Sequence, residues 1–149
     1  EITTFVSILE IWENFIQICR NAYKPSSYVT IDEQLIGFRG RCPFRMYIPN
    51  KPVKYGIKTV LLCDVSTKYL IDAYPYLGKS TKTDGRPLAD YYVETLTRTI
   101  HGTNRNITMD NWFSSVLLGE KLIQAPYKLT MVGTLRKNKP QIPAQLLEN

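Results

Sequence analysis

Two aspartates lie within segments that otherwise have the composition of β-strands. Asp32 interrupts the β-branched run YVTIDEQLI, and Asp110 lies near the C-terminal end of the run NITMDNWF. Strict alternation would place Asp32 on the opposite face from the apolar Val29 and Ile31. A carboxylate in a sheet is costly unless it is hydrogen-bonded, paired or bound to a cation, so we expect each aspartate to face a site. For Asp32 by itself, an edge strand with a solvated carboxylate is the alternative interpretation.

The elements that would position these aspartates follow a simple order along the chain. Hydrophobic periodicity predicts a helix over 4–23, then three antiparallel strands, and then a helix, a strand, a helix and a strand. The first strand begins at Tyr28, and a short second strand covers 44–48. The later strands cover 57–63, 69–77, 106–113 and 128–135, and the later helices cover 87–101 and 116–124. This order predicts an α/β fold with a mixed sheet and helices on its faces.

This order also predicts how the two aspartates meet. The strand that carries Asp110 would return parallel to the strand that carries Asp32 through a helical crossover. Both carboxylates would then project from the same region of the sheet. Hard oxygen ligands suit Mg²⁺, and two such ions ~4 Å apart clamp the attacking and leaving oxygens in phosphoryl transfer. The pattern therefore favours a divalent-metal phosphoryl-transfer site.

Composition limits the class of protein and its partners. The chain has 149 residues and a net charge of +6, which favours one domain and an anionic partner. Its three cysteines are isolated and its one histidine is His101, so their spacing excludes a zinc cluster or disulfide framework and fits a reducing compartment. No apolar run approaches the ~20 residues that a membrane span requires, so we expect a soluble intracellular protein without a membrane partner.

Other polar and apolar residues are expected to be structural. Asp64 and Asp72 fit a turn and an exposed strand position, and we assign them no chemistry. Ser114 or Ser115 fits the N-cap of the helix over 116–124. The apolar stripe of the first helix is expected to pack on its own domain, with a partner-binding helix as the alternative.

Three long segments of the chain resemble one family. The segments YVTIDEQLIGFRGRCPFRMYIPNKPVKYGIK, RNITMDNWF and PYKLTMVGTLRKNK are similar to those of piggyBac-type transposases and their domesticated derivatives. The resemblance implies an RNase H-like fold and a catalytic core with three aspartates, of which Asp32 in TIDEQ and Asp110 in MDNWF match the first two. It implies strand nicking at transposon ends, a hairpin intermediate and joining at TTAA sites. It also implies Mg²⁺ as cofactor, with Mn²⁺ as a substitute, a nuclear location and a homodimer of the full-length protein.

The chain departs from this family in one respect. It contains no aspartate after Asp110, and its later acidic residues, Glu120 and Glu148, match no family position. We therefore expect a fragment of the catalytic domain that lacks the third carboxylate and is inactive by itself. Residues 1–25 would be a helical lead-in that packs on the core, and 26–149 would form the first part of the RNase H-like core, with five strands and two helices.

Several basic residues are candidates for contact with DNA phosphates. The set comprises Arg39, Arg41, Arg45, Lys79, Lys82, Arg136 and Lys137. Such contacts neutralise the backbone without reading sequence, and a solvated basic surface is the alternative for each residue. Arg39 and Arg41 are the strongest candidates because they lie close in sequence to Asp32.

The favoured function is thus the partial catalytic core of a piggyBac-like transposase. The alternatives are a domesticated DNA-binding or interaction module that does not cut, and an unrelated metal nuclease of the same fold.

Overall fold

The computed structural model describes residues 6–78 and 81–146. Its helices are α1 Val6–Ala22, α2 Leu88–Leu96 and α3 Val116–Ile123, and short 3₁₀ helices cover Thr97–Ile100 and Ala144–Leu146. Its strands are β1 Tyr28–Gly37, β2 Met46–Tyr47, β3 Tyr55–Asp64, β4 Leu70–Pro75, β5 Asn106–Met109 and β6 Thr130–Gly133. The predicted order of helices and strands is confirmed. The predicted helix start at Thr4 lies outside the described residues.

The strands form one mixed sheet in the order β2, β3, β1, β5, β6, with β4 also paired to β3. Strand β3 runs antiparallel to β1, while β5 runs parallel to β1 and β6 runs parallel to β5. The predicted parallel crossover is therefore present. The predicted short strand over 44–48 is present as β2, since Met46 and Tyr47 pair with Gly56 and Tyr55 at the start of β3, and with it the described sheet has six strands. Gly56 permits close packing there, since a Cβ at this position would lie only 2.2 Å from the backbone oxygen of Ile36.

The core lies between the sheet and the two later helices. On β1, the buried Val29 and Ile31 alternate with more exposed residues, as the period of two predicts. Leu96 of α2 and Leu118 and Leu122 of α3 belong to the same buried cluster. Burial of this kind contributes roughly 25 cal/mol per Å² of apolar surface, so these side chains hold both helices against the sheet. The Ser115 hydroxyl accepts a hydrogen bond from the Leu118 backbone N–H at 3.1 Å, which confirms the predicted N-cap of α3.

Helix α1 packs on β4, but only part of its apolar stripe is covered. Ile16 and Cys19 are buried, whereas Ile8 and Phe15 of the predicted stripe are exposed. The Arg20 guanidinium lies 2.7 Å from the Asp72 carboxylate on β4, and that carboxylate is buried. The prediction that Asp72 occupies an exposed strand position is therefore wrong. Strand alternation alone could not show that a helix covers this side of β4.

Asp64 is the last residue of β3, directly before the turn rather than in it as predicted, and it is buried and organises the start of the sheet. Its Oδ2 atom accepts a hydrogen bond from the Ser26 N–H at 2.7 Å, and its Oδ1 atom accepts from Ser66 and Thr67 at 2.8 and 3.1 Å. Burial raises the pKa of Asp64, but these backbone donors more than offset it and hold the pKa well below its usual value. Asp64 thus ties the segment before β1 to the turn between β3 and β4.

Within residues 6–78 and 81–146, no helix has the length and apolarity that crossing a membrane requires.

Candidate metal and nucleic-acid site

Asp32 lies on β1, and Asp110 directly follows the neighbouring parallel strand β5. The β1–β5 register ends at the pair Ile31 and Met109, and each aspartate is the next residue. Neighbouring strands in a sheet are about 4.8 Å apart, so the two side chains project from one region. Strand β5 ends at Met109, whereas β1 continues to Gly37 and stays paired with β3. The end of β5 therefore leaves the side of β1 next to Asp32 open.

Each of these carboxylates has one oxygen fixed by a nearby backbone N–H. Asp32 Oδ1 accepts a hydrogen bond from Glu33 at 2.7 Å, and Asp110 Oδ1 accepts from Trp112 at 2.9 Å. Within the described part of the chain, the Oδ2 atom of either aspartate accepts no hydrogen bond, and both residues are exposed. Each carboxylate is thus held by a backbone N–H through one oxygen, and its other oxygen has no hydrogen-bond donor among the described residues. Two such hard oxygens fit a divalent cation such as Mg²⁺. Residues 6–78 and 81–146 contain no cluster of three acidic, histidine or cysteine side chains that could hold a metal.

Asp110 itself lies in a turn rather than in the strand that the sequence predicted. Strand β5 ends one residue earlier, and the Asp110 carbonyl oxygen accepts hydrogen bonds from the Ser114 N–H at 3.1 Å and the Ser114 hydroxyl at 2.8 Å. These bonds compete with strand pairing because they use the same backbone oxygen. The turn presents the carboxylate at the end of the strand.

Cys63 is a neighbour of Asp32 that sequence reasoning missed. It pairs with Thr30 across β1 and β3, which places it diagonally to Asp32 on the same face of the sheet. Burial raises the pKa of the Cys63 thiol, and the negative charge of Asp32 raises it further. The thiol therefore stays protonated beside the carboxylate. Antiparallel register between 28–37 and 55–64 was the signal that could have found this contact.

The arginines that follow β1 are exposed, and Arg45 lies beside Tyr55, whose ring neighbours that of Tyr47. Arg45 donates to the backbone oxygens of Arg39 and Gly40 at 2.9 and 3.1 Å, so it holds the loop together as well as offering charge. Its guanidinium lies 5.5 Å from the centre of the Tyr55 ring. The rings of Tyr47 and Tyr55 are 4.8 Å apart, and both side chains are about half exposed. Cations beside exposed aromatic faces can contact phosphates and stack on unpaired bases.

The other predicted DNA contacts are distributed along the chain. Arg41 is exposed in the same loop as Arg39. Lys82 is exposed and lines a groove with Arg20 of α1 and Tyr91 of α2. Arg136 and Lys137 are exposed after β6, which is separated from β1 by β5, and Lys79 lies outside the described residues. The structure thus groups Arg39, Arg41 and Arg45 in one loop and places the others elsewhere.

Comparison with known proteins identifies the family. The sequence profile of the family described as Transposase IS4 matches residues 3–149. The chain belongs to this transposase family. It is similar to two human proteins, PiggyBac transposable element-derived protein 3 and the chimeric ERCC6-PGBD3 protein, each 28% identical over 127 residues. That alignment covers 80% of this chain, but only 21% of the first protein and 12% of the second.

A solved structure shows the same similarity in three dimensions. The chain superimposes with a TM-score of 0.94 and 55% identity on the structure of a piggyBac transposase synaptic complex with hairpin DNA. The match covers 98% of this chain and 30% of that one. The chain is therefore a piggyBac-type transposase sequence that spans about a third of that transposase and a smaller share of the human relatives. Transposases of this family generally use divalent metal ions.

Two further residues of this transposase sequence, Trp112 and Lys58, adjoin the site, and sequence reasoning assigned neither of them a role in placing the aspartates. The Lys58 ammonium lies 4.6 Å from the centre of the Trp112 ring, and the Trp112 backbone N–H is the donor to Asp110. The position of Trp112 within the MDNWF motif, two residues after the aspartate, was the signal that could have drawn attention to it. No local pattern indicates that Lys58 contacts it.

Proposed function

We propose that this chain is the first part of the catalytic core of a DNA transposase, with Asp32 and Asp110 as two of its metal-binding carboxylates. The observation that carries the proposal is the β1–β5 register, which sets both aspartates one residue beyond the Ile31 and Met109 pair. The order β4, β3, β1, β5, β6, with three antiparallel strands followed by two parallel ones, supports an RNase H-like fold as the finer description. The family match over 3–149 supports the same conclusion.

The chain's own residues would bind and orient the metal. Asp32 and Asp110 would each offer the oxygen that accepts no hydrogen bond from the described residues, and the N–H groups of Glu33 and Trp112 would keep the carboxylates in place. Bound Mg²⁺, or Mn²⁺ in its place, supplies charge that stabilises the attacking and leaving oxygens of a phosphodiester. A third carboxylate from outside this chain would complete a two-metal site.

DNA is the proposed partner because a basic loop follows directly on the strand that carries Asp32. The exposed Arg39 and Arg41, together with Arg45 beside the Tyr55 ring, offer both cationic and aromatic contacts. Phosphate contacts of this kind would position a DNA end without reading its sequence. In the full-length protein we propose transposon ends and TTAA targets as the DNA, a homodimer as the assembly and the nucleus as the location.

The decisive experiment is cleavage of a labelled transposon-end duplex by the full-length parent protein in Mg²⁺ or Mn²⁺. We expect wild-type protein to cut, and Asp32→Asn and Asp110→Asn to be slower by about 10³-fold or more, since each loses electrostatic stabilisation of the transition state. Asp84→Asn is the matched control, because this carboxylate is 77% exposed and lies in a separate loop. Equal cutting by the aspartate variants and wild type would contradict the proposed site.

Two further outcomes separate the alternatives. DNA binding without any divalent-dependent cleavage by the full-length protein would favour a domesticated DNA-binding module. The 149-residue chain alone should not cut above the background of the Asp32→Asn, Asp110→Asn double variant. With only two carboxylates it would not hold the second metal ion that stabilises the leaving oxygen. Cleavage by the chain alone would mean that Glu120, Glu148 or a second copy supplies the third ligand.

A further inference from the structure

The turn after β5 determines where the Asp110 carboxylate points. Asp110 Oδ1 accepts a hydrogen bond from the Trp112 N–H at 2.9 Å, and the Asp110 carbonyl oxygen accepts from Ser114. On the other side of this turn, β6 ends at Gly133, which pairs with Met109. A Cβ at Gly133 would lie 2.1 Å from the Ser114 hydroxyl, so glycine permits the turn to pack directly on β6. The turn is thus fixed at Ser114.

The Trp112 side chain is held by partners from two directions. Its ring meets the buried Phe113 edge to face, with the ring centres 4.6 Å apart. The Lys58 ammonium lies 4.6 Å from the centre of the Trp112 ring and 5.9 Å from that of Tyr76. A cation within about 6 Å of a ring centre is attracted by the negative charge of the π face. Among the ion pairs of the described residues, none involves Lys58, so its electrostatic partners there are these two rings.

The Lys58 contact crosses the strand that carries the other aspartate. Lys58 lies on β3 and pairs with Leu35 on β1, while Trp112 follows β5. Strand β1 lies between β3 and β5 in the sheet. The cation–π contact therefore connects β3 to the turn after β5, across β1. A contact in this position can fix the turn relative to β1. The short strand β5 pairs with β1 at only four residues, so the contact adds to that pairing.

We propose that Trp112 and Lys58 are positioning residues for the Asp110 carboxylate. The Lys58 ammonium fixes the Trp112 ring, and the Trp112 backbone N–H then fixes the carboxylate in the orientation that a divalent cation requires. The inference rests on the proposed metal-binding role of Asp110. Groups that orient a ligand through a hydrogen bond commonly change metal affinity severalfold or more when they are lost. The competing role for Lys58 on this basic chain is a direct contact with a DNA phosphate.

The test measures the affinity of the 149-residue chain for Mn²⁺ alone, from the electron paramagnetic resonance signal of the free ion. We expect Lys58→Met to weaken binding about two- to fivefold, in line with the loss of one cation–π contact. Trp112→Ala should weaken it by about fivefold or more, because the turn loses its anchor. Lys58→Arg and Trp112→Phe keep a cation and an aromatic face, so both should bind within about twofold of wild type. Lys54→Met is the matched control, since it removes an exposed charge from the same region.

The outcomes separate positioning from a purely structural role. A structural role would lower the unfolding temperature of the variants and leave the Mn²⁺ affinity of the folded protein unchanged, and this result would overturn the inference. A change in DNA affinity and salt dependence for Lys58→Met, with unchanged Mn²⁺ affinity, would also overturn it and assign Lys58 to phosphate contact. If Trp112→Ala does not fold, Lys58→Met and Trp112→Phe still decide the question.

Asp110→Asn distinguishes failure of this inference from failure of the proposed function. Loss of Mn²⁺ affinity in Asp110→Asn, together with unchanged affinity in Lys58→Met and Trp112→Ala, would reject the positioning role and keep the metal site. Unchanged affinity in Asp110→Asn would reject both.

Discussion

Asp32 and Asp110 occupy matching positions on neighbouring parallel strands, each one residue beyond the pair Ile31 and Met109. The pairing places one carboxylate on a strand that continues and the other in a turn where its strand has ended. The two carboxylates therefore begin at neighbouring backbone positions, and a different backbone N–H holds each of them, that of Glu33 for Asp32 and that of Trp112 for Asp110. A cation that binds both carboxylates would therefore join β1 to the turn after β5.

Replacement of either aspartate should weaken divalent-metal binding. We expect Asp32→Asn and Asp110→Asn each to lower Mn²⁺ affinity by about tenfold or more, because an amide is a weaker ligand than a carboxylate for a hard cation. In nuclear magnetic resonance spectra of the wild-type chain, Mn²⁺ should broaden the backbone signals of Glu33 and Trp112 first. Glu10→Gln on α1 is the control and should bind normally. Broadening centred on any other segment would contradict the proposed position of the site.

DNA binding by the chain should be weak, indifferent to sequence and sensitive to salt. Its charge of +6 attracts phosphates, and affinity falls as salt rises. Each phosphate contact makes the slope of log affinity against log salt more negative by about 0.9. Arg39→Ala and Arg41→Ala should therefore each make that slope less steep by about one, measured by fluorescence anisotropy with duplexes of unrelated sequence. Lys24→Ala, which removes one exposed charge before β1, is the control. Tight binding that prefers one sequence and ignores salt would disprove this expectation.

The stability that the ionised Asp64 carboxylate provides should be lost as the solution becomes acidic. Burial opposes its ionisation, but three backbone N–H donors hold its folded pKa below its usual value. The stabilisation is therefore complete above the unfolded pKa of about 3.9, and it is lost as the pH falls through the lower folded pKa.

The corresponding variant is Asp64→Asn. At pH 7 it should lower the free energy of unfolding by about 1 to 3 kcal/mol, since the amide cannot satisfy all three donors. The difference from wild type should shrink below about pH 4, measured by urea unfolding across the pH range. Asp84→Asn should behave like wild type, because its side chain is 77% exposed. A constant difference at all pH values would show that ionisation of Asp64 is not the cause.

Glu94 should be the carboxylate that most strongly joins the two later helices. Its side chain is 8% exposed and lies within 3.2 Å of charged groups on Lys121 and Arg86, and the Tyr127 hydroxyl donates to it at 3.1 Å. Glu94→Gln should lower the free energy of unfolding by about 1 to 3 kcal/mol, because these donors lose a charged acceptor. Thermal and urea unfolding measure this loss. Glu120→Gln on the exposed face of α3 should change stability by no more than about 0.5 kcal/mol.

Local sequence pattern was sufficient for the order of the helices and strands and for singling out Asp32 and Asp110. Period-two alternation located β1 and put Asp32 opposite Val29 and Ile31, and the pair Ser114 and Ser115 indicated the start of α3. These signals depend on neighbouring residues, so they are readable without the fold. Strand ends were less well predicted, since a backbone group such as the Asp110 carbonyl can bond to Ser114 instead of continuing the strand.

Contacts between distant segments were decided only by the tertiary structure. The sequence by itself determined that Asp32 and Asp110 are carboxylates in strand-like surroundings, and that the chain is basic enough to favour DNA. The fold decided that Ile31 pairs with Met109 and that Lys58 lies over Trp112. It also decided that Asp72 is buried under Arg20. The physical reason is that register and burial depend on how helices and strands far apart in sequence pack together, and local periodicity carries no information about that packing.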